Sequence, residues 1–264
     1  MKNLEQLTSD VCELAYSTGK FLRKERETFS MSRVELKGQN NFVSYVDKNA
    51  EKQIVTALRK LLPEAGFIAE EGTAASSNER YRWVVDPLDG TTNFIHGLAP
   101  YAVSIALMDS DEVILGVVHE AVAGECFYAW KGSKAFLNGR EIHVSEAATV
   151  EESLIATGFP YCNFEKIQRY MSSLAYFMQC SHGVRRLGSA ATDLAYVACG
   201  RFEAFYEYAL QPWDVAAGSL IVQQAGGKVS DFSGGNTYIF GQELVSANAN
   251  IYDEFMEIVK STFE

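Results

Sequence analysis

The sequence predicts an α+β first half joined directly to an α/β second half. Three observations carry this reading. Two amphipathic helices open the chain, a run of short strands with turn signals follows, and past about residue 146 strands and helices alternate. Residues 4–27 set Leu4, Leu7, Val11, Leu14 and Leu22 largely on one stripe, the spacing of a helix that buries one face. A second helix over about 46–62 turns Ala50, Ile54, Leu58 and Leu61 inward. Strands are expected at 82–86, 101–109, 112–121, 125–130 and 141–144. Met108-Asp109-Ser110-Asp111 and Asn138-Gly139 supply turns between them, so this sheet meanders and is mainly antiparallel.

The second half begins with a strand from Leu154 to Gly158 and a long helix over about 164–180. Gly183 to Leu187 is the next strand. Ser189 to Cys199 is a helix with Ser189 as N-cap and Gly200 as its stop. A strand from Phe202 to Tyr208 and a helix over 214–225 complete the alternation. No repeat, low-complexity tract or flexible linker intervenes. Residues 1–145 and 146–264 are therefore expected as two halves of one compact unit.

Composition bounds the function. With 47% hydrophobic and 22% charged residues, the chain is ordinarily globular and can bury a large core. A formal charge of −11 argues against nonspecific nucleic-acid binding, which needs a basic footprint. The five cysteines, Cys12, Cys126, Cys162, Cys180 and Cys199, are scattered and show no metal-ligand spacing. They read as buried free thiols of a reducing, cytoplasmic environment. The N-terminus lacks the apolar core of a signal peptide, and no apolar run is long enough to span a membrane.

The chemistry concentrates in Asp86-Pro87-Leu88-Asp89-Gly90-Thr91-Thr92-Asn93. The apolar run Trp83-Val84-Val85 reads as a strand end that delivers two carboxylates into a tight Gly-Thr-Thr turn. Pro87 biases Asp86 toward extended backbone, and Gly90 admits a conformation that a side chain resists. Two carboxylates, the Leu88 carbonyl and two hydroxyls share a small volume, a set of hard oxygens suited to Mg²⁺. Two further acidic features join it. Phe67-Ile68-Ala69-Glu70-Glu71-Gly72 is a short strand ending in adjacent acids, only one of which can face a given site. Gln211-Pro212-Trp213-Asp214 opens the Ala-rich helix. Each feature alone has a plain structural reading: Asp-Pro and Asp-Gly as turn dipeptides, Glu71 as a solvated acid, Asp214 as an N-cap. His96 reads as a supporting or structural residue rather than a ligand.

Together the segments resemble the inositol monophosphatase family of Mg²⁺-dependent phosphatases. The family pattern Trp-x-x-Asp-Pro-(Ile/Leu)-Asp-Gly-Thr-(Thr/Ser) stands here as Trp83 to Thr92, and Trp-Asp-x-Ala-Ala-Gly as Trp213 to Gly218. Phe136 to Arg140 and Gly188 to Ala191 also match, and the likeness runs from about residue 5 to about 260. Ala69 and Gly72 depart from a frequent Gly and Ser, which removes no ligand.

The resemblance implies a layered α-β-α-β-α sandwich with the site between its halves. It implies Glu70, Asp86 and the Leu88 carbonyl as ligands of a first Mg²⁺, and Asp86, Asp89 and Asp214 as ligands of a second. A third, weaker ion would sit near Glu70 through water, making two to three in all. Thr91, backed by Asp47, would orient and help deprotonate the attacking water, with Glu70 alongside. Gly90 and Thr91 amides would hold phosphate, with Asp89 beside it. Ala190 and Glu207 would contact the alcohol part of a phosphorylated polyol, and the helix start at Gly188–Ala191 would offer free amides. Lys37 falls in the family's mobile loop. The resemblance further implies lithium sensitivity and a homodimer. It leaves open other sugar, nucleotide or histidinol phosphates, a phosphoinositide, and a binding role in the transcription machinery.

Overall fold

The structure, a computed structural model, describes residues 3–30, 34–38, 41–73, 79–160 and 163–263, with the backbone alone at 34–38 and 41–43. Helix α1 (Leu4–Glu27) is capped by Asn3, whose side chain accepts from the Glu5 amide, and buries Leu7, Val11, Ala15 and Leu22. Strands β1 (Val34–Gly38) and β2 (Asn41–Ser44) form an antiparallel hairpin that the sequence reading did not contain. Lys37, expected in a loop, lies in β1. Helix α2 (Tyr45–Leu61) starts at a capping box, in which Ser44 and Asp47 satisfy each other's backbone amides.

A seven-stranded sheet follows, built from β3 (Gly66–Ala69), β4 (Tyr81–Asp89), β5 (Ala102–Asp109), β6 (Glu112–Glu120), β7 (Glu125–Trp130), β8 (Ala135–Leu137) and β9 (Arg140–Ile142) in sequence order. A short helix α3 (Thr91–His96) separates β4 from β5. The β3–β4 pair is parallel and every later pair antiparallel, as expected for a meander. The strand read at 141–144 is β9 of a small β8–β9 hairpin turned by Asn138 and Gly139, both at positive φ.

The second half holds β10 (Leu154–Thr157), α4 (Ile167–Cys180), β11 (Gly183–Arg185), α5 (Ala190–Ala198), β12 (Ala204–Tyr208), α6 (Pro212–Gln224), β13 (Lys228–Ser230), β14 (Glu243–Ala247) and α7 (Tyr252–Phe263). Its sheet order is β11-β10-β12-β14-β13. The first three strands in that order run parallel, while β14 is antiparallel to both neighbours.

Three apolar cores separate five layers. Helices α1 and α2 bury Leu7, Val11, Ile54 and Leu58 against Trp83, Ile105 and Val117 on one face of the larger sheet. Helices α5 and α6 lie between the sheets, joining Val84, Ala106 and Val118 to Phe205 and Leu244. Helices α4 and α7 cover the smaller sheet's outer face, with Tyr170, Phe177, Tyr206 and Phe255 in one aromatic cluster. This is the expected α-β-α-β-α order. The middle layer is thin because it is glycine- and alanine-lined: a Cβ on Gly116 of β6 would stand 2.6 Å from the Ala217 carbonyl oxygen of α6. Among the described residues no helix is long and apolar enough to cross a membrane.

Candidate active site

The paired acids depend on a bulge. Along a regular strand, residues three apart point to opposite faces. In β4 the register against β5 slips: Asp86 faces Ser104, yet Asp89 faces Ala102, so three steps on one strand match two on the other. Pro87 lies in the slip and has no N–H to give the ladder. The extra residue restores parity, and both carboxylates reach one side. Asp86 then accepts the Leu88 amide at 2.9 Å. Gly90, at φ 90°, ends the strand and caps α3, so the expected Gly-Thr-Thr turn is the start of a short helix.

Asp214 joins from the second half. It is not the N-cap of α6 but its third residue, and it accepts the amide of the N-cap Gln211 at 2.7 Å. Ser104 Oγ donates to the Trp213 carbonyl at 3.0 Å, tying β5 to that helix start. Carboxylate oxygens of Asp86, Asp89 and Asp214 all lie within 4.8 Å of one another. Asp86 is held well above the ordinary carboxylate range by burial and by Glu70, Asp89 and Asp214; burial and Asp89 do the same to Asp214. Burial pushes Asp89 up to about 6 against the Ser189 hydroxyl and the Ala191 and Ala190 amides, which favour its charge. Three desolvated carboxylates at this spacing repel one another, and a hard divalent cation relieves all of them at once. The donor set therefore fits Mg²⁺.

Glu70 follows β3 and lines the same cleft of about 210 Å³, as do Leu88, Gly90 and Thr91. Its turn is held by Glu51, a buried α2 acid that the sequence reading missed. Glu51 accepts the Glu71 and Thr73 amides, each at 2.7 Å. An acid on the inward face of a helix was the available signal. Thr91 Oγ1 stands 3.0 Å from Asp47 Oδ1 and 2.9 Å from the Leu88 carbonyl oxygen, one hydrogen between two acceptors. Asp47 is fully buried and raised by that burial, against hydrogen bonds from Ser44 and Thr91 that favour its charge.

The carboxyl ends of three parallel strands also line the cleft: Gly158 after β10, Arg186 after β11 and Glu207 near the end of β12. That is where open α/β sheets bind ligands. Glu207 is 7% exposed, and burial pushes it to about 8 while Arg186 pulls it back. Gly158 makes room for it, because a Cβ there would fall 1.9 Å from Glu207 Oε2. Sequence reasoning missed Arg186, whose guanidinium sits 5.4 Å from the Phe159 ring centroid. One arginine in an Arg-Arg pair at a strand end carried no signal. The helix-start amides expected to serve a ligand are engaged already. The Ala191 amide and the Ser189 hydroxyl donate to Asp89 at 2.8 and 2.6 Å, and the Ala190 amide also serves Asp89. Ala190 itself lines the cleft, whereas His96 is exposed outside it.

With this fold and site in view, the sequence matches the inositol monophosphatase family over residues 3–262. The chain belongs to that family, a family of phosphatases. It is 40% identical over 256 residues to the Nus factor SuhB of Escherichia coli K12, covering 93% of this chain and 96% of that one. It is 37% identical over 255 residues to the inositol-1-monophosphatase of Mesorhizobium japonicum, covering 96% of each. The Thermotoga maritima IMPase structure superposes with a TM-score of 0.86 at 36% identity, again covering 96% of each chain.

Proposed function

We propose that this chain is a Mg²⁺-dependent phosphomonoesterase that hydrolyses myo-inositol 1-phosphate to inositol and phosphate. The observation that carries this is the placement of Asp86, Asp89 and Asp214 within 4.8 Å of one another, in a cleft that Glu207 and Arg186 also line. Asp86, Asp89, Asp214, Glu70 and the Leu88 carbonyl would hold two to three Mg²⁺ ions. Such ions acidify water and neutralise a leaving alkoxide.

The protein's own groups do the rest. Asp47 accepts the Thr91 hydroxyl hydrogen, which leaves a lone pair on Thr91 Oγ1 to accept a proton from the attacking water. Glu70, at the same cleft wall, stands ready for that proton. Gly90 and Thr91 amides at the start of α3 face phosphate oxygens. Glu207 and Arg186 meet the hydroxyls of the alcohol, one accepting and the other donating. The homodimer, the cytoplasmic location, lithium inhibition and the division at residue 145 belong to the same proposal.

Phosphate release, with Mg²⁺ and with EDTA, tests it on inositol 1-phosphate, fructose 1,6-bisphosphate, 3′-phosphoadenosine 5′-phosphate, histidinol phosphate and a phosphatidylinositol phosphate. A Mg²⁺-dependent preference of about ten-fold in kcat/KM for inositol 1-phosphate, roughly 1.4 kcal/mol, is expected. Preference for another member would move the substrate and keep the chemistry. The relatives named Nus factor SuhB favour a second reading, a binding role in the transcription machinery. Pull-down of transcription proteins by an Asp89→Asn variant that no longer turns over substrate would support it.

A further inference from the structure

Two cysteines far apart in the chain meet on the face of the larger sheet that α1 covers. In the β6–β7 ladder His119 is the direct partner of Cys126, so their side chains stand together on one face. Helix α1 lays Cys12, Tyr16 and Gly19 across that pair, at the spacing of one helical stripe. The Tyr16 and His119 rings meet edge to face with centroids 5.6 Å apart. A Cβ on Gly19 would stand 2.5 Å from His119 Cδ2, so the helix rests directly on the imidazole. The Cys12 and Cys126 side chains pack side by side against the same core as free thiols, and both residues are partly exposed rather than buried.

His119 packs under α1, but its ring nitrogens take no part in that packing. It is fully buried, and neither ring nitrogen has a hydrogen-bond partner. The titratable groups it faces are the Tyr16 phenol on α1 and the Cys126 thiol on β7. The neighbouring Cys12 thiol and then the nearby imidazole hold Cys126 low, while Cys126 and burial raise Cys12. Low thiolate cost together with partial exposure marks a reactive cysteine, and a second thiol in contact marks its resolving partner. None of these residues lines the phosphatase cleft.

We propose that Cys12 and Cys126 form a reversible disulfide when the protein meets a peroxide, with His119 as the base for Cys126. His119 takes the Cys126 proton. The thiolate attacks one peroxide oxygen, the O–O bond breaks, and the leaving hydroxide takes the proton from His119 to become water. Cys126 is now a sulfenic acid. The Cys12 sulfur attacks the Cys126 sulfur, the S–O bond breaks, and a second water leaves with the Cys12 proton. Two thiols and one hydrogen peroxide give one disulfide and two waters. A dithiol reductant reverses it by exchange. The bridge staples α1 to β7 and closes a long loop, so the oxidised protein unfolds at higher urea than the reduced one.

The full chain is treated with hydrogen peroxide, alkylated and mapped by mass spectrometry. The expected result is a Cys12–Cys126 linked peptide, the loss of two hydrogens from the intact mass, and recovery with dithiothreitol. Cys162, Cys180 and Cys199 stay alkylated. In Cys12→Ser, dimedone traps Cys126 as its sulfenic acid; in Cys126→Ser, Cys12 stays reduced. His119→Gln slows bridging about ten-fold or more, the scale of a lost general base. Circular dichroism identifies any variant that fails to fold, and for that position the wild-type mapping decides. Alkylation of both thiols after peroxide would overturn the proposal, as would Cys126 sulfinic acid beside an alkylated Cys12. An unchanged rate in His119→Gln would remove the base.

Discussion

Asp89 takes hydrogen bonds on Oδ2 from Ser189 and the Ala191 amide, and a carboxylate oxygen of it still lies within 4.8 Å of Asp86 and Asp214. The start of α5 thus holds Asp89, the proposed cation ligand, with amides that could otherwise face a substrate. That distinction was illegible in the sequence, because a Gly-Ser-Ala-Ala helix start presents the same amides to either. Asp89→Asn keeps the size and one acceptor while removing the charge. It is expected to lower kcat roughly 10²–10³-fold or more, with an unchanged circular dichroism spectrum. Near-normal phosphate release would remove Asp89 from the cation site. Arg186 is the cation among the described cleft residues. Arg186→Gln is expected to raise KM for inositol 1-phosphate about ten-fold, since a charge-assisted hydrogen bond contributes about 1.5–3 kcal/mol. A change in kcat with KM unmoved would place it outside the alcohol site.

Elements reach the site through glycines, and two of these separate function from stability. A methyl on Gly158 meets the far end of Glu207, a flexible side chain that can swing away. Gly158→Ala is therefore expected to raise KM with little change in Tm. A methyl on Gly116 meets the backbone of α6 at Ala217, which cannot swing away. Gly116→Ala pushes outward the helix that carries Asp214, at a cost of about 1–3 kcal/mol, and is expected to lower both Tm and Mg²⁺ affinity. Equal Tm values for the two variants would refute the contrast. The long elements were legible because their periods are long: α1 matches its predicted span residue for residue. The β1–β2 hairpin, β8 and β13 span only three to five residues each and show too little alternation to read. Past residue 225 no element was expected from the sequence, yet β14, an interior strand of its sheet, and the helix α7 follow. The Cys12–Cys126 contact was likewise hidden, since it depends on how α1 crosses β7 rather than on spacing.

The whole molecule gathers its acids where the two halves meet, so its stability depends on what neutralises them. Without divalent cation, burial first of all raises Asp89 to about 6 and Glu207 to about 8, above their ordinary values of 3.8 and 4.5. A raised carboxylate binds its proton more tightly folded than unfolded. The folded state then holds more protons, and stability falls as pH rises. The contribution is complete below the ordinary carboxylate range and is lost as pH passes through about 6 and then about 8. In EDTA, Tm is therefore expected to decline across that window. Bound Mg²⁺ favours the charged form of Asp89 and removes the part of the decline near 6. Asp89 also raises Glu207, so a cation on Asp89 shrinks the part near 8 as well. Saturating Mg²⁺ also adds stability by mass action, about 2.7 kcal/mol at a hundred times its Kd. Thermal melts in EDTA and in Mg²⁺, stepped across this pH range, measure both effects. Parallel curves that differ only by a constant offset would show that the buried carboxylates are not the cation's ligands.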